Sequence, residues 1–357
     1  RDQPRSRGLG DVYKRQARHR AQRLYGLVWE SGSQDAPFHA RHHQVIVSVG
    51  VPAAKAVSNE DLKQTRDGLI AMLKSLNLGV AEVEPQQLIA IIDDLTSPTT
   101  APQDDAVPYN PNDAIAAQAI RHDIELVIHE DRMRLVTERF RATGKIEDGV
   151  PEIGTVYPDA FDVRHFSSRN MPQRWAPWEC ARLIGDMFTD KLRFPCPAAT
   201  MLCLVYPDQE AASAKAGFKF MRTTSLAGTR SARFLPRIGE QAAEWQHVQS
   251  ELQEGRRLVR VFYGLTTYSP LGRGDRDERA IKSIYKAAGW DLADERYLQI
   301  QGLLAAMPMT LADGLGADME RLKRFKTVLS TTAANIAPMQ GEYLGSVHPH
   351  LLFVGRR

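Results

Sequence analysis

Residues 124–140, IELVIHEDRMRLVTERF, decide the fold class. Apolar and polar side chains alternate in Ile124–His129 and again in Met133–Phe140, and Glu130-Asp131 joins the two segments. This alternation predicts two β-strands that form a hairpin and are therefore antiparallel. The strands and helices predicted elsewhere lack the regular β-α-β order of a doubly wound sheet. The sequence therefore predicts an α+β fold with mixed or antiparallel sheets and packed helices.

Apolar residues at helical spacing predict several helices on either side of the hairpin. Ser58 is a suitable N-cap for a helix over residues 59–77, and Pro85 fits the first turn of a helix that ends near Leu95. Further helices are predicted from Pro177 to about Asp190, from Gly239 to Glu254, over Asp275–Ala288 with Ile281, Ile284 and Tyr285 inward, over Glu295–Ala306, and over Met319–Phe325. Further strands are predicted at Val45–Val51, Phe161–Phe166, Met201–Val205 and Leu258–Tyr263.

The length of 357 residues is enough for two or three packed units. We expect residues 1–16 to be a translated sequencing adapter and residues 17–40 to be an irregular lead-in. Residues 41–190 and 191–330 are predicted to form two α+β subdomains. Residues 1–16 contain five basic and two acidic residues, which accounts for the whole formal charge of +3. The neutral remainder gives no electrostatic indication of nucleic-acid binding.

Composition also indicates whether the chain could span a membrane and whether its cysteines are reduced. No apolar run approaches the roughly 18 residues that span a bilayer. The arginine-rich N-terminal stretch lacks the apolar core of a signal peptide. Cys180, Cys196 and Cys203 lack the spacing of a metal site, so we expect buried thiols in a reducing compartment.

Two segments imitate parts of a nucleotide site. Gly68–Ser75 ends in Lys-Ser, but Leu73 stands where a P-loop needs its second glycine. Leu88–Asp94 imitates the apolar strand and carboxylate that would hold Mg²⁺, but Pro85 favours a helix there. Both are predicted to be core helices. We assign no catalytic, cofactor-binding or metal-binding residue, and we expect no bound cofactor.

Six residues are candidates for interaction. Trp175 and Trp178 flank a proline at the start of a predicted helix, where they serve either core packing or the docking of a partner. Arg321, Lys323, Arg324 and Lys326 form a basic cluster beside Phe325, either as a solvated helix face or as a contact for phosphate or nucleic acid. Gly272-Arg-Gly-Asp275 is a flexible, charged turn before a helix, which needs no anion ligand although it could bind one.

Several ordered motifs over residues 55–357 resemble the N-terminal region of the TraC family, the F-type members of the type IV secretion assembly ATPases used in conjugation. The motifs are Leu76-Asn-Leu-Gly79 with Pro85 and Leu95-Thr-Ser-Pro98, Pro172-x-x-Trp175 with Leu183-Ile-Gly185-Asp186 and Phe194-Pro195, Ala287-Ala-Gly289-Trp290 with Gln301-Gly-Leu-Leu304, and Arg324-Phe-Lys326-Thr327 with Asn335-Ile-Ala337-Pro338 and Gly341-Glu342.

The resemblance implies an N-terminal region that mediates assembly and docking in a peripheral ATPase at the cytoplasmic face of the inner membrane. It implies a hexamer, inner-membrane secretion components as partners, and ATP with Mg²⁺ in a RecA-like domain of the parent protein. We expect the Walker motifs beyond Arg357, so that this chain is truncated and residues 331–357 are the connection to the missing domain and its first strand. Stable nucleic-acid binding is not expected. The alternative is a DNA-binding accessory protein of a mobile element that acts through the Arg321–Lys326 helix.

Overall fold

The computed structural model describes residues 44–50, 57–76, 78–98, 109–122, 124–137, 146–147, 150–151, 160–172, 175–185, 192–229, 236–312 and 314–337. The α-helices in these ranges are α1 (Asn59–Ser75), α2 (Pro85–Thr96), α3 (Ile115–Ala119), α4 (Gln209–Ala227), α5 (Pro236–Gln253), α6 (Gly274–Ala287), α7 (Gln299–Ala306), α8 (Gly314–Arg321) and α9 (Ser330–Ile336). Short 3₁₀ helices cover Pro177–Ile184 and Thr310–Ala312. The chain divides into two compact units, Arg1–Ile46 and Val47–Arg357, and every element named here belongs to the second.

The strands are β1 (Ile124–Ile128), β2 (Met133–Thr137), β3 (Ile146–Glu147), β4 (Val150–Pro151), β5 (Ala160–Asn170), β6 (Ala198–Val205), β7 (Leu258–Pro270), β8 (Asp291–Asp294) and β9 (Lys326–Leu329). Seven of them form one sheet with the order β1-β2-β5-β7-β6, in which β8 also pairs with β5 and β9 with β7. Every pairing in this sheet is antiparallel, and β3 pairs with β4 in a separate two-stranded sheet. The predicted hairpin and the α+β class are thus confirmed.

Helices cover both faces of the large sheet. Neighbouring residues of a strand point to opposite faces, and Arg164 of β5 contacts α6 whereas His165 lies against α7. On the α6 side the core contains Phe166, Leu265, Ile281, Tyr285 and Trp290, each at most 4% exposed. On the α7 side the buried residues are Met133, Leu135, Phe161, Val163, Tyr268 and Leu303. This arrangement holds α6 and β8 at the two sides of one cleft.

Helices α4 and α5 form a hairpin whose base is fixed to the sheet. The side-chain amide of Gln209 donates to the Leu258 carbonyl at 3.1 Å and accepts from the Leu258 N–H at 3.1 Å. A small apolar cluster closes this base, and its members are Ala212, Ala216, Trp245, Val248, Leu252, Leu258 and Leu329. Gly255, with a φ of +86°, ends the second helix where the sequence predicts it.

Most helix starts and inward faces agree with the predictions. Ser58 caps α1 through a capping box with Asp61, and Pro85 begins α2. Ile281, Ile284 and Tyr285 are the buried apolar residues of α6. The helix predicted over Glu295–Ala306 begins four residues later, because the Glu295 N–H still bonds to the His165 carbonyl and Tyr297 adopts a left-handed φ of 62°.

Two predicted elements are wrong. The helix predicted over Met319–Phe325 ends at Arg321, because Lys323 adopts a left-handed φ of 59° and Lys326 already pairs with β7. The strand predicted at Val45–Val51 is not formed over residues 44–50. Residues 1–16, 17–40 and 338–357 lie outside the described residues. The division at residue 190 stays a prediction, and β5 before that boundary pairs directly with β7 after it.

Candidate functional site

A charged cleft opens between β5, β8 and the first half of α6. It encloses about 410 Å³, and its lining consists of Asp131, Arg164, His165, Phe166, Asp275, Glu278, Arg279, Asp294 and Arg296. Strand β5 is more than 100 residues away from α6 and β8 in the chain. The close approach of α6 to β5 depends on Gly274, because a Cβ there would lie 3.2 Å from Arg164 Nη2 and 3.3 Å from Asp162 Cβ.

A chain of alternating charges forms the floor of this cleft. The Arg164 side chain is 6% exposed and donates to Asp275 Oδ1 at 2.5 Å and to the Glu278 carboxylate. Lys282 Nζ in turn lies 2.6 Å from Glu278 Oε1 and 2.6 Å from Asp294 Oδ1. The network therefore joins β5, α6 and β8, and it compensates the buried guanidinium.

Hydrogen bonds within the network shift the pKa values of three of its members toward the charged form. Burial by itself lowers the pKa of Arg164, but the hydrogen bonds to Asp275 and Glu278 outweigh it, so that its pKa is raised. Burial likewise opposes the charge of Lys282, and its bonds to Asp294 and Glu278 raise its pKa. The hydrogen bond from Arg164 lowers the pKa of Asp275. Arg164, Lys282 and Asp275 are therefore charged at neutral pH.

The lining of the cleft contains four carboxylates, three arginines, His165 and Phe166. The His165 imidazole is 3% exposed, and its Nδ1 lies 2.8 Å from Thr266 Oγ1. Burial lowers the pKa of His165 to about 3, which keeps the ring neutral. Asp275 and Arg279 are exposed at the rim of the cleft, where their charges are accessible to a polar partner.

The sequence did not identify this cleft as a site. Arg164 lies 111 residues from Asp275 and 114 from Glu278, so no local motif links them. The one sequence feature that we noted at this cleft is the Gly272–Asp275 turn, and its Asp275 accepts a hydrogen bond from Arg164.

The structure places Trp175 in the core. Trp175 is 8% exposed and packs edge-to-face on Trp290 with ring centroids 5.5 Å apart. Its Nε1 donates to the Asn335 carbonyl at 3.1 Å, and Asn335 Nδ2 donates to the Trp175 carbonyl at 3.0 Å. Trp178 lies in the 3₁₀ helix Pro177–Ile184, and its side chain is outside the described residues. Docking through either tryptophan stays a prediction.

The four basic residues do not share a helix face. Arg321 ends α8 with an 80% exposed side chain and pairs with Asp318 at 3.1 Å. Lys323 lies in the following turn, and Lys326 begins β9. Arg324 Nε lies 2.7 Å from Oε1 of the buried Glu295, so this guanidinium is neutralised within the fold. The alternative of a DNA-binding helix over these residues therefore loses its structural basis.

The segments that imitate a nucleotide site lie in helices, as predicted, but α1 is not a core helix, because Leu73 is its one buried residue. Gly68 and Lys74 are part of α1, and Asp93 and Asp94 are part of α2. Among the described residues, no group of three or more His, Cys, Asp or Glu side chains could hold a metal ion. No helix in the described ranges has both the length and the apolar character to cross a membrane.

Comparison with known proteins connects this fold to a family. A family model described as TraC protein matches residues 1–311, so the stretch that begins at Arg324 lies outside the match. Protein TraC of Escherichia coli strain K12 is 21% identical over 316 residues, which cover 85% of this chain. The chain spans about a third, 34%, of the length of that relative. The chain therefore belongs to the TraC family.

Proposed function

We propose that this member of the TraC family is the N-terminal assembly and docking region of a conjugative-transfer ATPase. The observation that carries the proposal is the family match over residues 1–311 of a chain that spans 34% of its E. coli relative. The parent protein would power pilus assembly and DNA transfer. Its partners would be inner-membrane components of the secretion apparatus, and it would work as a hexamer at the cytoplasmic face of that membrane.

The ATP site belongs, in this proposal, to a RecA-like domain of the parent that binds ATP and Mg²⁺. The segments Gly68–Ser75 and Leu88–Asp94 support this, because their backbone hydrogen bonds are used within α1 and α2. A phosphate cradle requires free backbone N–H groups in a glycine-rich loop. The purified chain is therefore expected not to bind a fluorescent ATP analogue in the presence of Mg²⁺.

The charged cleft is the surface that we propose for docking. Its floor is rigid because Arg164 ties α6 to β5, while Asp275 at the rim is 80% exposed. A partner segment with both basic and acidic side chains would complement it, since both signs line the cleft. Such a surface supplies orientation and specificity more than affinity.

A mating experiment tests the proposal. The chain is expressed in donor cells that carry the element encoding the full-length parent, and it is expected to lower transfer by occupying docking positions. A matched variant with Arg279→Gln and Arg296→Gln changes two exposed charges of the cleft lining, and its expression is expected to lower transfer less than expression of the unchanged chain. If donor cells that express the chain at the level of the parent protein transferred DNA as often as donor cells without the chain, docking would be rejected. ATP turnover by the purified chain would reject the location of the ATP site.

A further inference from the structure

The outer side of α4 carries two exposed apolar side chains flanked by two cations. Phe218 and Met221 are each 64% exposed, and Lys215 and Arg222 are exposed as well. Residues three and four apart lie next to each other on a helix, so that these four side chains share one face. We call them the α4 patch. Exposed phenylalanine and methionine at adjacent helical positions indicate a contact surface.

The α4 patch faces away from the rest of the hairpin. On the inner side of α4, Ala216 is buried, Gly217 approaches Gln249 of α5, and Lys219 Nζ lies 5.1 Å from the centre of the Trp245 ring. Phe218 lies about 160° around the helix from Ala216 when each residue advances by 100°. The patch is therefore on the convex surface of the hairpin.

Lys215 and Arg222 give the α4 patch a positive charge. The sequence from residue 211 to residue 239 contains no aspartate or glutamate, and its basic residues are Lys215, Lys219, Arg222, Arg230, Arg233 and Arg237. No ion pair among the described residues involves Lys215 or Arg222. The surface thus selects an anionic partner.

We propose that the α4 patch docks on an anionic phospholipid surface. Helical segments with apolar and basic side chains bind at the headgroup level, where rings and thioethers enter the interface and cations meet phosphates. A second copy fits poorly, because facing α4 patches would bring Lys215 and Arg222 close to their own equivalents. A nucleic-acid strand fits less well, since stacking platforms for single strands line a groove and this surface is convex.

The inference goes beyond the proposed function, because it adds direct lipid contact to a docking role that partners alone could fulfil. The lipid-binding inference and the proposed function can fail separately. Vesicle binding needs no secretion component, and the mating assay needs no direct lipid contact.

Co-sedimentation with vesicles tests the inference. The full chain is mixed with phosphatidylcholine vesicles, with or without phosphatidylglycerol, and is expected to pellet only with the anionic vesicles and less at high salt. At about 1 kcal/mol for each cation near such a surface, Lys215→Gln with Arg222→Gln is expected to lower the partition coefficient roughly thirtyfold. Phe218→Ser with Met221→Ser should also lower it, because the inserted apolar surface is lost.

Helix α1 offers a matched control. Lys63 is exposed and Met72 is 54% exposed there, so Lys63→Gln with Met72→Ser changes similar side chains outside the α4 patch and should leave binding unchanged. Circular dichroism checks that all variants are folded. Equal pelleting with neutral vesicles, or no loss of binding in the α4 variants, would overturn the inference. So would binding to a single-stranded oligonucleotide through the same side chains without any vesicle binding.

Discussion

Gly302 of α7 lies directly against His165 of β5, so closely that a Cβ at residue 302 would come within 2.3 Å of His165 Cγ. A glycine inside a helix ordinarily costs about 1 kcal/mol relative to alanine. Here the missing side chain lets α7 approach the sheet and cover the imidazole, which is 3% exposed. The pair therefore fixes the distance between the helix and the strand.

Gly302→Ala is expected to destabilise the protein despite the higher helix propensity of alanine. The added methyl must displace either the His165 ring or α7, and overpacking of this kind costs about 1–3 kcal/mol. Urea unfolding followed by circular dichroism measures the change in the free energy of unfolding.

Gly68→Ala is the control for that change. Gly68 is also inside a helix, but a Cβ there has nothing within 4 Å. Alanine should therefore stabilise α1 by up to about 1 kcal/mol. If both substitutions shifted stability in the same direction, the close approach of Gly302 to His165 would be refuted.

His165 should make the fold less stable in mild acid. Burial lowers its pKa to about 3 in the folded protein, whereas an unfolded histidine has a pKa near 6.5. Between these values the unfolded chain binds a proton that the folded chain does not, so that the free energy of unfolding falls as pH decreases through this window. The slope approaches about 1.4 kcal/mol per pH unit.

Urea unfolding at several pH values from about 7 to about 4 measures this slope, and His165→Asn should reduce it even if the variant is less stable overall. An unchanged slope in His165→Asn would mean that other groups cause the acid sensitivity.

Trp175 should contribute to stability through core packing. Trp175→Ala removes its contact with Trp290 and its hydrogen bond to Asn335, and large-to-small changes of this size cost about 3–5 kcal/mol. Tyr297→Ala is the control, since Tyr297 is 74% exposed and its loss should have little effect. Thermal unfolding compares the two, and a Trp175→Ala protein as stable as wild type would point to a surface role for this ring.

Local signals in the sequence predicted local structure. The Ser58–Asp61 capping box, Pro85 at a helix start and the alternation in residues 124–137 each depend on neighbours within a few residues. Strand β8, with the polar sequence Asp-Leu-Ala-Asp, exists because β5 offers it an edge for pairing, and its own residues do not favour a strand.

The candidate site could not be predicted in the same way. The ion network of the cleft depends on which segments the sheet brings together, and no spacing in the chain encodes the contact of Arg164 with Glu278. In the basic cluster, residues that are close in sequence lie in different elements, because the left-handed φ of Lys323 ends α8 before β9 begins.

Arg324 and Arg321 belong to that same basic cluster, yet the structure predicts losses of stability of very different size when each is replaced. Arg324→Met keeps an apolar stem but leaves the Glu295 carboxylate, 7% exposed, without its cation, and such a loss costs about 3–5 kcal/mol. Arg321→Met removes an exposed pair with Asp318 and should cost at most about 1 kcal/mol. Adding Glu295→Gln to Arg324→Met should restore part of the stability, because the buried charge is then gone. Urea unfolding of the three variants checks this order, and equal losses for Arg324→Met and Arg321→Met would show that the Glu295 pair is not a buried one in solution.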